Sequence, residues 1–264
     1  MKNRITKIFS KKEKKLVTFV TGGDPNYEIS IEILKSLSEN GSDLIEIGMP
    51  FSDPMADGPT IQLSSNRAIS EGIDIEKIFS LSKKFREFND DTPLILMGYY
   101  NIIFHYGINK FVESCIKSKI DGLIIVDLQP EEDDELLKRM SSTNIDLIRL
   151  ITPTTDEKRL KTILKNASGF LYYVTIMGIT GQHSANIYEL EKSISFIKKY
   201  TKLPIVCGFG INDSSQIRDI CEFSDGVVVG SSIIKIIEKN FINNKDKILP
   251  EISKFVKNLK KGTE

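Results

Sequence analysis

The chain has 264 residues, and its 36 Lys plus Arg are balanced by 36 Asp plus Glu, so no net charge draws it to nucleic acid or an anionic membrane surface. A hydrophobic fraction of 40% with 27% charged residues describes a folded globular protein and excludes wholesale disorder. No apolar run reaches the roughly 18 residues of a membrane span, and three scattered cysteines (Cys115, Cys207, Cys221) with two histidines give neither a disulfide framework nor a metal site. A reducing compartment is expected, bacterial cytoplasm or plastid stroma.

Short β-branched runs recur, each followed by a helical pattern. Strands are expected at 16–20, 43–48, 93–98, 122–127, 146–150, 169–174, 204–208 and 226–230. Between them apolar residues fall at helical spacing, as with Ile29, Ile33 and Leu37, then Ile75, Ile78, Phe79 and Leu81, then Ile194 and Ile197. Eight strands alternating with helices predict an α/β fold with a parallel sheet. A single (β/α)₈ TIM-barrel domain over 1–264 fits best, and an open doubly wound sheet is the alternative. Helical patterns at 1–14 and 248–262 lie outside the eight units and are expected to plug or flank the barrel. The run Lys11 to Lys15 reads as a solvated helix end. The acids from Glu131 to Glu135, just after Pro130, suit the positive end of a helix dipole.

In such barrels the active site forms at the C-terminal ends of the strands. Period-two alternation in the second strand sets Leu44, Glu46 and Gly48 on one face and Ile45 and Ile47 on the other. The β-branched pair suits burial against helices, which aims Glu46 into the barrel, where a carboxylate is costly unless paired, protonated or in use. The following loop, 49–59, is long and stiffened by three prolines. Asp57 lies eleven residues after Glu46 and could face it across one ligand. Two carboxylates in unlike environments can divide acid and base roles, although Asp57 and Asp53 could equally cap turns. The last three strands run into small residues: 175–181, Gly208 to Gly210, and Gly230 with Ser231 and Ser232. Glycines and a helix beginning at Ser231 would suit a phosphate.

Residues 44–62, reading LIEIGMPFSDPMADGPTIQ, resemble the tryptophan synthase α-subunit family. Supporting segments are FVTGGDP at 19–25, MGYYN at 97–101, GITG at 178–181, GFG at 208–210, and Gly230-Ser231. The resemblance runs nearly end to end. It implies cleavage of indole-3-glycerol phosphate to indole and glyceraldehyde 3-phosphate, with indole passed to a β subunit in an α₂β₂ tetramer. No cofactor is implied in this chain, since pyridoxal phosphate belongs to the β subunit. By matching position, Glu46 and Asp57 would be the catalytic pair. Phe19, Tyr99 and Tyr172 would line the indole site, while Gly181, Gly210, Gly230 and Ser231 would bind phosphate, with Phe209 beside them. The loop after the sixth strand would be a lid, its Thr180 closing towards Asp57.

One departure stands out. Many bacterial members have Ser-Arg where this chain has Thr175-Ile176, which takes a charge from the implied lid. Two rival readings remain: another phosphate-binding barrel enzyme, or a barrel kept only to bind and activate a β subunit. A metal-dependent epimerase would want more strand-end histidines, and an indole-glycerol-phosphate synthase a strand-end lysine where Glu46 stands.

Overall fold

A computed structural model of the chain describes residues 3–174, 183–208, 210 and 212–264. Within them lie nine parallel strands: β1 Lys15–Thr21, β2 Leu44–Gly48, β3 Leu94–Gly98, β4 Gly122–Ile125, β5 Asp146–Leu147, β6 Arg149–Ile151, β7 Leu171–Val174, β8 Ile205–Gly208 and β9 Gly226–Val229. Their order around the sheet is β5-β4-β3-β2-β1-β9-β8-β7-β6. The two outermost members, β5 and β6, are one stretch of chain separated by Ile148, so the sheet closes into a ring. The fifth strand expected at 146–150 is therefore two short ones. Its first half hydrogen-bonds to β4 and its second to β7, and the two ladders meet where Ile148 N–H donates to Leu123 O at 2.9 Å.

Strand alternation sorts the apolar residues into two cores. Val17, Phe19, Leu44, Ile95, Ile124, Ile148, Phe170, Val206 and Val228 fill the inside of the barrel. Leu16, Val20, Ile45, Ile47, Leu94 and Leu96 face outward onto the helices. The helices Tyr27–Glu39 and Ile75–Phe88 meet them with Ile33, Leu37, Ile78, Phe79 and Leu81, the residues whose spacing marked them.

Both terminal segments find the places foreseen for them. The helix Arg4–Phe9 plugs the N-terminal end: Ile5 is wholly buried in the inner core, and the Phe9 ring lies 5.5 Å from that of Phe170. Arg4 and the buried Arg86 grip the two oxygens of Asp121 at 2.9 and 2.6 Å, which fastens the plug to the base of the barrel. The helix Ile248–Lys260 lies outside, with Ile248, Ile252, Val256 and Leu259 in the outer core. Thus one end of the barrel is stoppered, and the C-terminal end is left for chemistry.

Two charge readings need amendment. The run from Lys11 is no helix end, because the plug helix stops at Phe9 and Lys15 opens β1, buried, with its ammonium 3.4 Å from Glu13. The chain must enter the sheet there, so the lysine stem is covered while its head reaches a carboxylate near the surface. The acids after Pro130 do begin a helix, Asp134–Met140, with Asp134 and Glu135 in its first turn. Asp133 departs from them: it is fully buried and ion-paired with Arg149 of β6.

Candidate active site

At the C-terminal ends of the strands lies a cavity of about 460 Å³, walled by Phe19, Asp57, Tyr99, Tyr172, Gly210, Gly230 and Ser231 among others. Eight of the eleven residues nominated from sequence thus bear on one place, counting Glu46, which lies just beneath these seven. Thr180, Gly181 and Phe209 lie outside the described residues, as does the lid segment with Thr175 and Ile176.

Glu46 forms the floor. Its register partners are Phe19 on β1 and Ile95 on β3, both inner-core residues, so its carboxyl sits in an apolar layer. It is wholly buried, and among the described residues neither oxygen has a hydrogen-bond partner. With no cation or donor to hold the charged form, burial pushes its pKa up to about 8. At neutral pH Glu46 is therefore a buried acid, able to give a proton to a group above it.

Asp57 stands on the opposite kind of support. The loop from Met49 to Gly58 folds back over the strand ends, and Tyr99 pins it: the Ala56 N–H donates to the Tyr99 hydroxyl at 3.0 Å, and the Phe51 and Tyr99 rings lie 5.3 Å apart. That hydroxyl in turn donates to the Asp57 carboxylate. Burial raises the Asp57 pKa, and the Tyr99 hydrogen bond pulls it back down. Tyr99 itself is held at about 12, chiefly by burial and further by the Asp57 charge. Tyr99 is thus both a wall of the cavity and the peg of the loop that carries the second carboxylate. Tyr172 is also pushed well above the ordinary phenol range, first by burial and then by the charges of Glu46 and Asp57. Tyr172 lines the same cavity as Asp57.

Two strand-end glycines make room for the rings. A β-carbon at Gly48 would stand 2.7 Å from Phe19 Cζ, and one at Gly208 would stand 2.4 Å from Tyr172 Cε1. Across the cavity, Gly230 caps the helix Ser231–Asn243, whose first backbone N–H groups and positive dipole end face the cavity mouth. Among the described residues, nothing stands within 4 Å of where a β-carbon at Gly210 would be. Gly230 does more than bare its backbone, since a β-carbon there would lie 3.1 Å from Phe19.

The sequence reading passed over Thr21, Ile61, Met97 and Val126, which also line the cavity. Alternation from Phe19 would have found Thr21, two residues on along β1. It would likewise have found Met97, two beyond Ile95, and Val126, two beyond Ile124, whereas Ile61 belongs to a segment whose fold-back no periodicity encodes. Among the described residues, no group of three or more His, Cys, Asp or Glu is placed to hold a metal ion. Nor is any described helix long and apolar enough to cross a membrane.

A parallel (β/α) barrel with a buried acid, a loop-borne carboxylate and a helix N-terminus around one apolar cavity defines a barrel arranged for acid–base chemistry at its C-terminal end. The family model for the tryptophan synthase alpha chain matches residues 5–264. A tryptophan synthase alpha chain from Petrotoga mobilis is 44% identical over 258 residues, covering 98% of this chain and 99% of that one. The solved structure of tryptophan synthase subunit alpha from Legionella pneumophila superposes with a TM-score of 0.92 at 34% identity, covering 99% and 98% of the two chains. A solved structure from Aquifex aeolicus gives 0.88 at 37% identity, covering 99% of each. The chain belongs to the tryptophan synthase alpha chain family, and its role lies in tryptophan synthesis.

Proposed function

We propose that this chain, acting as one barrel domain, is a lyase that cleaves indole-3-glycerol phosphate to indole and glyceraldehyde 3-phosphate by a retro-aldol reaction. The observation that carries the reading is the pair of unlike carboxyl groups, Glu46 held protonated by burial and Asp57 held by Tyr99, over one cavity.

Breaking the bond from indole C3 to the glycerol chain requires a proton on C3, which leaves positive charge on the indole ring. Glu46, protonated at neutral pH, is suited to give that proton. Asp57 is suited to accept the ring N–H and to oppose the developing cation. As the carbon–carbon bond breaks, the glycerol-side hydroxyl becomes a carbonyl, and its proton returns to the Glu46 carboxylate. The acid is thereby restored, and atoms and charge balance. Phe19 and Tyr172 would flank the indole. Gly210, Gly230 and the helix starting at Ser231 would anchor the phosphate, so remote binding energy serves to position the scissile bond.

The proposed partner is a pyridoxal-phosphate-dependent β subunit that consumes the indole, in an α₂β₂ tetramer, and we assign that cofactor to the β subunit alone. Two large apolar side chains beside the mouth support a docking face there, Met55 on the Asp57 loop and Phe104 on the helix after β3, exposed by 81% and 65%. Turnover of indole-3-glycerol phosphate, measured with and without a β subunit, tests the reading. Release of indole and an aldehyde phosphate is expected from the chain alone and faster release with the partner. Activation of the β subunit without any cleavage would instead make the barrel a non-catalytic partner.

A further inference from the structure

Buried side-chain oxygens without a hydrogen-bond partner include Thr21 Oγ1 and both oxygens of Glu46. Such groups are uncommon in a folded interior and call for a physical reason. These three atoms belong to neighbouring strands. The β1–β2 register pairs Phe19 with Glu46 and Thr21 with Gly48. Val17 and Phe19 point into the barrel, so Thr21, two residues beyond Phe19, points there too, and it lines the cavity. It therefore stands one inner layer above Glu46, roughly 6.6 Å along the strand by two rises of about 3.3 Å. Opposite Thr21 is Gly48, and the space where its side chain would stand is filled by the end of the Phe19 ring, which must give way as Glu46 turns up.

We propose that Thr21 is a positioning residue for Glu46, its hydroxyl donating to the carboxylate once Glu46 turns up into the cavity. The proposal rests on the reading of Glu46 as the acid–base group. At rest the Glu46 carboxyl lies in an apolar layer just beneath the cavity walls, and turning upward brings it closer to a ligand seated between Phe19 and Tyr172. A glutamate has three rotatable side-chain bonds, and rotation towards the strand ends carries its carboxyl to the level of Thr21. There the hydroxyl is a donor with no other partner among the described residues. A donor to the carboxylate favours the ionised form, which is the form that must take back the hydroxyl proton as the bond breaks. The methyl group of Thr21 keeps the β-branched shape that suits strand packing, so the hydroxyl can be removed alone.

The test compares Thr21→Val with Thr21→Ser, and with Thr21→Ala in case valine packs poorly, each checked for wild-type circular dichroism. Steady-state cleavage of indole-3-glycerol phosphate is measured across pH. Thr21→Val should lose roughly ten- to a hundredfold in kcat, as expected for a lost hydrogen bond to a charged group, with KM within about twofold. The alkaline limb of kcat should move to higher pH by about one unit, because the carboxylate has lost its donor. Thr21→Ser should restore both. A Thr21→Val or Thr21→Ala enzyme with unchanged kcat and pH profile overturns the proposal, and so does a serine variant as impaired as valine, which would assign the effect to the methyl group. A raised KM with kcat intact overturns it too, placing the hydroxyl on the substrate. Glu46→Gln run alongside separates the layers. If it is fast, the reading of Glu46 fails and the proposal with it; if it is slow while Thr21→Val is fast, the role of Thr21 alone fails.

Discussion

The ring of Tyr172 on β7 lies over Gly208 on β8, its hydroxyl 2.5 Å from where a β-carbon at that glycine would stand. Both flanking strands are fixed by their ladders, so a side chain at 208 must displace the ring. Gly208→Ala is expected to cost about 1–3 kcal/mol of stability, the usual range for overpacking. It should also lower cleavage by displacing Tyr172 from the cavity wall. Thermal unfolding and kcat/KM on the purified variant check both effects.

Glu46 ties stability to pH. Its carboxyl titrates at about 8 in the folded chain against 4.5 for the unperturbed group. Between these values the folded state keeps a proton that the unfolded chain has released, so stability falls as pH rises from about 4.5 to 8. Glu46→Gln has no such proton to lose. It is expected to match the wild type near pH 5 and to exceed it increasingly towards pH 8, by on the order of a few kcal/mol at most. Denaturant midpoints at several pH values measure the gap. A gap that does not widen would contradict a neutral buried acid.

Tyr99 holds Asp57 from two sides, through its own donation and through the Ala56 N–H it accepts. Tyr99→Phe removes the hydrogen bond that lowers the Asp57 pKa, so that pKa should rise and the anionic form should be lost sooner on acidification. The acid limb of kcat/KM is expected to move to higher pH, with roughly a tenfold loss at neutral pH for one charge-assisted hydrogen bond. Proteolysis within 51–58 should quicken as the loop loses its peg. An unmoved acid limb would show that Tyr99 only packs.

Much of this was legible from local pattern. Period-two alternation around Glu46 set the carboxyl inside the barrel, because a strand buried on both faces shows its inward residues by parity alone. The helix at Ser231 was legible for the same local reason, a glycine followed by small polar residues at the end of an apolar strand. What stayed hidden depends on long-range meetings. Nothing near Ile148 in sequence shows that one strand must serve β4 and then β7. Asp133 read as a helix-dipole acid, because its partner Arg149 is 16 residues away and reached only through the fold. That Tyr99, a cavity wall, also pegs the Asp57 loop stayed hidden, since its hydrogen bond to Ala56 spans 43 positions.

Asp57→Asn keeps the shape of the side chain and an oxygen for the indole N–H, while it loses the charge opposing the cation. Cleavage should fall by about 10²–10³-fold, the range for losing an electrostatic stabiliser. Substrate analogues lacking the ring N–H should be nearly indifferent to this change, whereas equal sensitivity would remove Asp57 from the ring nitrogen.

The most direct measurement is the rate of indole-3-glycerol phosphate cleavage by Glu46→Gln, compared with the wild type under conditions where both are folded and saturated. Glutamine fills the same buried space without a proton to give or a carboxylate to take one back. The expected result is a fall of about 10²–10⁴-fold with phosphate-anchored binding retained. A Glu46→Gln protein that cleaves at a near-wild-type rate would contradict the assignment of Glu46 as the acid–base group.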